Sequence, residues 1–379
     1  MTVGHHRNTV ATIDLAAIRH NVAHKKHQLE EHQELYAVVK ANGYGHGMVP
    51  VAKAAKQAGA TGFCVAILDE ALELRRAGFE EPIIVLGVSK PEDIGLFIRY
   101  QIRATVPSTE WFKAALEVMR QQAIRGKLFV HVKLDTGMGR IGIRELTEVH
   151  AMDALLQAQK GRVVFEGVFT HFAKADSPDT AHANQQLNRF VQLIQAFDEM
   201  PRYVHCANSA WAIWHELNMT EIVRYGVAMY GIDPSNGDWA IPEPEDLKPA
   251  LRLDTEIVHV KQLHKGDTVS YGATYVCQED EWIATLPVGY ADGWLRSYKG
   301  VAPLVEGRPC PIVGRICMDQ YMIRLPYRLP VGTKVTLIGT NGHETITAEQ
   351  VSRVGDSIGY EVVCLIGERV PRLYVNEEE

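Results

Sequence analysis

Lys40 lies between an apolar run and a glycine-rich segment, in the sequence YAVVKANGYGHG of residues 36–47. Because apolar residues precede it and three glycines follow it, we expect the lysine at the end of a buried strand and the start of a loop. Apolar surroundings disfavour the charged ammonium, and a neutral lysine amine can attack a carbonyl. The sequence therefore makes Lys40 a candidate nucleophile. The alternative is an ordinary surface lysine at the start of a turn.

Polar residues stand near the ends of several other apolar runs. Buried charges are costly unless they pair or bind something, so polar residues that meet at one edge of a sheet indicate a ligand site. For Lys133 and Asp135 a purely structural network is the competing interpretation. The residues are Lys133, Asp135 and Arg140 in HVKLDTGMGR, His171 in EGVFTHF, Asn208 and Ser209 after YVHCA, and Arg224 in IVRYGVAMYG.

Three histidines, His20, His24 and His27, have helical spacing, but no cysteine or carboxylate cluster accompanies them. A zinc site needs several such ligands placed together. We therefore interpret the three as a solvated helix face and predict no metal. His5 and His6 are assigned to a flexible terminus.

The candidate residues lie in a regular alternation of strands and helices. Alternation of this kind predicts a parallel sheet covered by helices. Strands are predicted at 36–39, 63–67, 83–87, 103–106, 128–134, 163–170, 203–206 and 222–230. Helices are predicted between them at 52–59, 69–78, 91–100, 108–120, 145–159, 184–197 and 209–215.

Eight such units favour an α/β fold built on a closed (β/α)8 TIM-type barrel. An open doubly wound sheet is the alternative, but its usual GxGxxG turn is absent. After a Pro-, Asp- and Glu-rich linker at 233–249, short β-branched runs punctuated by glycine predict a mainly-β domain. One helix is expected there after Thr347, where TAEQ has the spacing of a capping box.

The composition of the chain excludes several classes of function. The 379 residues carry a formal net charge of −7, with 46% hydrophobic and 22% charged residues, which argues against binding to nucleic acid or to an anionic membrane. No segment reaches the roughly 18 consecutive apolar residues of a membrane span, and the first residues lack a signal-peptide core. The six scattered cysteines, none in a CxxC pair, favour reduced thiols and a cytoplasmic location.

Nine motifs, in order across almost the whole chain, resemble those of bacterial alanine racemases. They are VVKANGYGHG, KLDTGMGRIG, THFAKAD, VHCANSA, VRYGVAMYG, VSYGATY, VGYADGWLR, GRICMDQ and YEVVC…RVPR. The resemblance implies a homodimeric isomerase that uses pyridoxal 5'-phosphate (PLP), interconverts L- and D-alanine and supplies D-alanine for peptidoglycan. It implies a PLP-binding barrel at 1–240, whose first residues could pack with the β domain, and a β domain at 241–379 that contributes to the partner's active site.

The resemblance also assigns roles to individual residues around the cofactor. Lys40 would carry PLP as a Schiff base, and Arg224 would face its pyridine nitrogen. Because an arginine hardly ever gives up its proton, that nitrogen would stay unprotonated, which disfavours transamination. His171 and Asn208 would also belong to the cofactor site. The phosphate would be held by Tyr44, Ser209, Gly226, Val227 and Tyr360.

A second group of residues would act on the substrate. Arg140 would hold the substrate carboxylate and would be oriented by Lys133, a residue that is carbamylated in much of the family. From the other subunit, Tyr271 would be the second base and the backbone at Met318 would contact substrate. The segment LIGER after Cys364 departs from the small hydroxyl residues often found in the family. The entrance would be lined or supported by Tyr290, Arg296, Arg315 and Asp319.

Racemisation removes the α-proton from one face of a planar species and returns a proton to the other face, which suits two bases on opposite sides. By resemblance, Lys40 takes the α-proton of D-alanine and Tyr271 that of L-alanine. A phenol is a poor base because its pKa is ordinarily about 10. We therefore expect His171, with the positive Arg224 behind it, to stabilise the phenolate.

Three other functions stay open at this point. A PLP-dependent amino-acid decarboxylase shares the barrel-plus-β layout but should carry a cysteine and an aspartate for a diamino substrate, and we find no segment that fits. A non-catalytic PLP-binding barrel would end near residue 230. A Schiff-base aldolase would use Lys40 without a cofactor and would be colourless.

Overall fold

The structure is a computed structural model that describes residues 2–377. The strands β1–β21 are Val10–Asp14, Glu34–Val38, Gly62–Val65, Ile83–Val85, Arg103–Val106, Leu128–Lys133, Val163–Phe169, Tyr203–His205, Ile222–Tyr225, Leu251–Glu256, His259–Leu263, Thr268–Val269, Tyr275–Val276, Glu281–Leu286, Leu304–Val305, Arg308–Pro309, Ile312–Val313, Tyr321–Leu325, Lys334–Asn341, Glu344–Ile346 and Arg372–Val375. The helices α1–α11 are Leu15–Gln28, Lys40–Tyr44, Met48–Gln57, Leu68–Arg76, Ile94–Arg99, Thr109–Gln121, Leu146–Gln157, Ala181–Ile194, Ser209–Trp214, Ala348–Val354 and Gly359–Leu365. Short 3-10 helices cover Pro91–Asp93, Val227–Tyr230, Tyr271–Ala273, Tyr290–Asp292 and Arg296–Gly300.

Eight parallel strands form the barrel, in the order β8-β7-β6-β5-β4-β3-β2-β9. Along the chain, β2 is the first barrel strand and β9 is the last, and these two strands pair with each other. Between β8 and β9 the Glu221 N–H donates to the Val204 carbonyl (2.9 Å) and the Arg224 N–H to the Ala207 carbonyl (3.1 Å). These bonds bridge the remaining gap, so the predicted TIM-type barrel is confirmed.

The barrel strands are buried because helices cover one face and barrel side chains fill the other. β3, β4 and β9 are buried along their whole length. All eight predicted strands occur, and the first seven agree with the observed bounds within two residues. The prediction for the last strand, 222–230, is too long. The strand ends at Tyr225, and Val227–Tyr230 forms a buried 3-10 turn, because an apolar run marks burial but does not distinguish a strand from a turn.

The N-terminal segment does not begin in the barrel. β1 pairs antiparallel with β10 and parallel with β21, inside a sheet ordered β16-β15-β19-β10-β1-β21. Ala11 and Ile13 alternate inward from it, and Arg7 forms an ion pair with the buried carboxylate of Asp292. The chain therefore enters the β domain first, then runs through the barrel, and then returns to the β domain.

β20 pairs with β19 and completes the seven strands of that sheet. The other strands of the β domain form a four-stranded sheet, β11-β14-β18-β17, and a ribbon of β12 and β13. The predicted mainly-β character of this domain is confirmed. The predicted capping box also occurs at the start of α10. The Gln350 N–H donates to Thr347 Oγ1 (3.2 Å), and the Thr347 N–H donates to Gln350 Oε1 (2.9 Å).

All six cysteines are free thiols, as their scattered positions predicted. Within residues 2–377, every helix is too short or too polar to cross a membrane.

Candidate active site

Lys40 follows β2 directly and begins a strained turn. Ala41, Asn42 and Tyr44 all have positive φ, between 50° and 53°, a region that residues with side chains rarely occupy and that often marks a functional site. Gly45 has φ 78°, and a Cβ there would lie 2.3 Å from the Val363 carbonyl of α11. The glycines of this segment therefore let α11 of the β domain close on the Lys40 turn.

The Lys40 amine is half-enclosed at the barrel mouth, 5.9 Å from the centre of the Tyr44 ring. Burial, and then the positive charge of Arg140, lower the pKa of Lys40. A lowered pKa increases the fraction of neutral amine, which is the form able to attack a carbonyl or accept a proton.

Arg224 extends from β9 and is buried. Its Nη2 donates to the carbonyls of Thr170 (2.9 Å) and Cys206 (3.1 Å), and its Nη1 donates to His205 Nδ1 (2.8 Å). A guanidinium is planar and only donates, so these three acceptors on neighbouring barrel strands hold it in one plane.

His171 lies beside Arg224, with its Nδ1 3.4 Å from Arg224 Nη2. Because the guanidinium can only donate, Nδ1 must be the acceptor and the imidazole proton must be on Nε2. Burial, and then the charge of Arg224, hold the pKa of His171 well below its usual range. His171 is therefore a neutral imidazole that presents an N–H to any group facing its Nε2.

Ser209, at the start of α9, forms a small polar cradle with the turn after β9. Its Oγ accepts from the N–H groups of Gly226 (2.9 Å) and Ala228 (3.4 Å). A Cβ on Gly226 would lie 3.0 Å from Tyr44 Oη and 3.7 Å from Ser209 Oγ, so the glycine leaves room between the two hydroxyls. The ring of Tyr360, from α11, is centred 6.3 Å from that of Tyr44, and Val227 follows Gly226 in the buried turn.

Asn208 has a structural bond that the sequence did not indicate. Its Oδ1 accepts from the Trp211 N–H (2.9 Å) and caps α9, as an asparagine at that position commonly does. Its amide NH2 is left to donate to a ligand.

Lys133 is buried at the end of β6, where its amine donates to the Leu134 carbonyl. Burial lowers the pKa of Lys133 to about 7, against the opposing charge of Asp135. Asp135 itself accepts from the N–H groups of Gly137 and Gly139 and pairs with Arg144 at 2.9 Å. Arg144, which was not singled out from the sequence, is thus the ion-pair partner of this carboxylate, while Arg140 lies exposed on the same loop.

The β-domain candidates form a second group on an exposed face. Tyr271 is 73% exposed and Met318 is 53% exposed. The Ser270 hydroxyl donates to the Arg315 carbonyl (2.8 Å), which ties the Tyr271 turn to the segment of Met318. The Tyr290 N–H donates to the Cys317 carbonyl (3.1 Å), so the Tyr290 turn packs on the same segment.

Arg296 and Arg315 line one surface cleft beside this group, and Asp319 pairs with Arg369 (2.8 Å). The structure thus gathers the predicted residues into two groups, one at the barrel mouth and one on the β domain. Among residues 2–377, no hydrogen bond, ion pair or ring contact joins Tyr271 to Lys40 or His171.

Sequence reasoning missed His205, which bonds directly to Arg224, and also His131, which bonds to His205 (2.9 Å). Both lie in the middle of apolar strand segments, FVHVK and YVHCA. An isolated polar residue within an otherwise apolar strand is the signal that could have identified them, because a buried imidazole needs partners.

Comparisons with known proteins match both parts of the chain to models of one family. Residues 13–234 match the family model "Alanine racemase, N-terminal domain" and residues 250–374 match "Alanine racemase, C-terminal domain". The alanine racemase of Lactiplantibacillus plantarum is 48% identical over 376 residues, which cover 99% of this chain and 100% of the relative.

Two solved structures are closely similar. The crystal structure of alanine racemase from E. faecalis has a TM-score of 0.95 at 49% identity and covers 99% of this chain and 100% of that one. That of alanine racemase from Bacillus anthracis with bound L-Ala-P has a TM-score of 0.91 at 44% identity, with 98% and 96% covered. The barrel, the β domain and these likenesses define an isomerase of the PLP-dependent barrel-plus-β class. The chain belongs to the alanine racemase family.

The residues at the barrel mouth fit PLP. The cofactor carries an aldehyde, a phosphate and a pyridine nitrogen, and each finds a suitable group here. A lysine of lowered pKa suits the aldehyde, and a buried arginine suits the nitrogen. The space that a Cβ on Gly226 would fill, lined by hydroxyls and a backbone turn, suits an anion.

The lowered pKa of Lys133 predicts how stability depends on pH. Its usual pKa is 10.5 and its folded-state pKa is about 7, so between these values the unfolded chain binds a proton that the folded chain does not. The free energy of unfolding should therefore rise with pH across this window, by at most about 1.4 kcal/mol per pH unit. Below pH 7 the full destabilisation caused by burying the charged Lys133 should be present.

Lys133→Met removes this titration. In urea unfolding in buffer free of carbon dioxide, its stability advantage over the wild type should shrink as the pH rises from about 7 to about 9.5. Lys53→Met, at an exposed lysine of α3, is the matched control and should show no such trend. A difference that stays constant with pH would contradict the assignment.

Proposed function

We propose that this alanine racemase family member interconverts L- and D-alanine in sites that two copies of the chain build together. The observation that carries the proposal is the separation of the two residue groups. The barrel mouth holds Lys40, Arg224 and His171, whereas Tyr271 lies 73% exposed on the β domain. A head-to-tail homodimer would cover that exposed face and bring Tyr271 of the partner subunit over the barrel mouth.

In this proposal PLP is held by the barrel-mouth residues. Lys40 binds its aldehyde, and Arg224 faces its pyridine nitrogen, while His171 and Asn208 border it. When bound, PLP supplies an electron sink for the negative charge that develops at the substrate α-carbon. Its phosphate is held by Tyr44, Ser209, Gly226, Val227 and Tyr360.

Lys40 acts as the base on one face of the substrate once the substrate amino group has taken its place on the cofactor, which frees the lysine amine. Its lowered pKa makes the amine available to accept the α-proton of D-alanine and to return a proton on that same face in the reverse direction. The carboxylate of the substrate is held by Arg140. Lys133 would orient Arg140 in its carbamylated form, because a free ammonium would repel the guanidinium.

Tyr271 of the partner subunit acts on the opposite face, on L-alanine. The His171 N–H at Nε2 donates to its phenolate oxygen, and the guanidinium of Arg224 on the other side of the imidazole polarises that N–H. The backbone at Met318 of the partner subunit contacts the substrate; its carbonyl already accepts from Ala291 (3.0 Å), so its N–H is the group available.

The remaining assignments follow the same division. Residues 1–240 form the cofactor-binding barrel and residues 241–379 the domain that serves the partner. Two elements cross this division: β1, which pairs with strands of the β domain, and α11, whose Tyr360 lies beside Tyr44 of the same chain. Tyr290, Arg296, Arg315 and Asp319 line or support the entrance. The enzyme acts in the cytoplasm, where the D-alanine it makes enters peptidoglycan synthesis. The match of residues 250–374 to the family's C-terminal domain argues against a barrel that only stores PLP.

Replacement of Lys40 by alanine should abolish the violet absorbance of lysine-bound PLP and lower racemisation by orders of magnitude, because the base and the cofactor anchor are both lost. Absorbance and chiral analysis of alanine check this, with Lys53→Ala as the matched control. A borohydride-reducible link to PLP that persists in Lys40→Ala would show that another residue carries the cofactor.

Mixing two inactive variants, Lys40→Ala and Tyr271→Phe, should restore part of the activity. If each site takes Lys40 from one chain and Tyr271 from the other, a hybrid dimer contains one intact site and one doubly impaired site. The measurement is racemisation before and after subunit exchange, which is followed by native mass spectrometry. Hybrid dimers without activity would show that the site is not shared.

Tyr271→Phe should impair exchange of the α-proton on one face only, because the phenol is lost while the ring remains. Net turnover should fall in both directions, by the ~10²–10⁴-fold typical of a general base, since an enzyme cannot shift the equilibrium between enantiomers. In deuterated water the variant should still label D-alanine through Lys40 and label L-alanine poorly. Tyr327→Phe, at another exposed tyrosine of the β domain, is the control. Wild-type labelling rates for both enantiomers in Tyr271→Phe would exclude it as the second base.

A further inference from the structure

A chain of hydrogen bonds runs from Arg224 across the barrel to a carboxylate. Arg224 Nη1 bonds to His205 Nδ1 (2.8 Å), and His205 Nε2 bonds to His131 Nδ1 (2.9 Å). His131 Nε2 bonds to Glu166 Oε2 (3.1 Å), and Glu166 is held by two bonds from Arg103, at 2.8 and 3.0 Å. We call the series Arg224–His205–His131–Glu166 the relay.

The relay needs a glycine to cross the barrel sheet. His131 lies on β6 and His205 on β8, so β7 runs between them. At the crossing point β7 has Gly167, where a Cβ would lie only 2.2 Å from His131 Nδ1. Any side chain at 167 would therefore break the contact between the two histidines.

The bonds determine where each proton lies. A guanidinium only donates, so His205 Nδ1 must accept and the His205 proton must be on Nε2. His205 then donates to His131 Nδ1, which places the His131 proton on Nε2. This proton is donated to Glu166, which as a carboxylate only accepts. One assignment satisfies every bond, with both imidazoles neutral and all donors pointing toward Glu166.

The charges agree with that assignment. The pKa of His205 is held well below its usual range, chiefly by burial and secondly by the positive charge of Arg224. Burial also lowers the pKa of His131, although its bond to Glu166 acts in the opposite direction. Burial opposes ionisation of Glu166, but the bonds from His131 and Arg103 outweigh it and hold the pKa of Glu166 at about 2.

Arg224 needs such a distant counter-charge because its immediate partners are neutral. Within residues 2–377 no carboxylate pairs with it directly; its bonds go to carbonyls and imidazoles. A buried charge without compensation is costly, and hydrogen bonds in series polarise one another.

We propose that Glu166, acting through His131 and His205, positions and polarises the guanidinium of Arg224 for the pyridine nitrogen of PLP. The three residues are positioning residues, since none of them faces the cofactor in the proposed site. The inference rests on the proposed role of Arg224, but the proton positions in the relay do not depend on racemase activity.

Two variants separate the relay from the ion pair at its end. Glu166→Gln removes the negative charge, and its single amide oxygen cannot accept from all the donors that the carboxylate satisfies. Arg103→Lys breaks the two-bond pairing but leaves the carboxylate in place. Asp153→Asn removes another buried carboxylate, on α7, that bonds to Gln157 and Asp198 and not to the relay.

Glu166→Gln should lower kcat for alanine by about tenfold with less than about threefold change in KM. The variant weakens the polarisation of Arg224 at the cofactor and leaves the groups that bind the substrate unchanged. It should also shift the visible absorption maximum of bound PLP. Arg103→Lys and Asp153→Asn should leave the absorption maximum unchanged and kcat within about threefold of the wild type. Circular dichroism checks that all three variants fold.

Neutron diffraction from wild-type holoenzyme crystals tests the relay directly. Deuterons should be found on Nε2 of both His131 and His205, and on neither Nδ1. A deuteron on Nδ1 of either residue would overturn the proposal, as would equal effects of Glu166→Gln and Arg103→Lys on kcat and absorbance. If the wild type did not racemise alanine, the proposed function would fail while the neutron result still decided the relay.

Discussion

The guanidinium of Arg224, which keeps its proton and its positive charge, lies inside the barrel, and much of the site is arranged around it. The Arg224 guanidinium is buried, so every N–H it presents must find an acceptor. Carbonyls at the ends of β7 and β8 and two imidazoles accept from its Nη1 and Nη2 atoms. Because a guanidinium only donates, its presence also decides which nitrogen of each imidazole carries the proton. The protonation states of His171 and His205 follow from one buried arginine.

Close backbone approach is the second constraint on the site. Gly226 leaves space between the hydroxyls of Tyr44 and Ser209, and Gly45 admits α11 against the Lys40 turn. Gly226 does not need the left-handed region of backbone space; its φ is −109°. It is required for room, whereas Gly45 meets both demands, with φ 78° and a carbonyl 2.3 Å from the Cβ position. Cofactor space and domain contact thus depend on missing side chains.

The barrel and its mouth could be predicted from sequence because local periodicity determines strands, and the carboxyl ends of parallel strands meet at one rim. Lys40 and Arg224 were identified in this way. β1 could not be found by alternation, since its neighbours Leu251–Glu256 and Arg372–Val375 lie more than 200 positions away along the chain. Arg144 was missed because nothing in a sequence tells which of two nearby arginines turns toward Asp135. The resemblance named the residues of both groups, but neither periodicity nor spacing shows how two chains meet.

The placement of β1 has a consequence for the order in which the molecule can be made. A ribosome releases Val10–Asp14 first, yet the two strands that flank it emerge only after the entire barrel has been synthesised. Both edges of β1 therefore lack their pairing strands for most of translation. The barrel can close while the chain is still growing, but the sheet around β1 can be completed only after Arg372–Val375 has been synthesised. Truncation between the barrel and Arg372–Val375 would leave at least one edge of β1 unpaired, and unpaired strand edges invite aggregation.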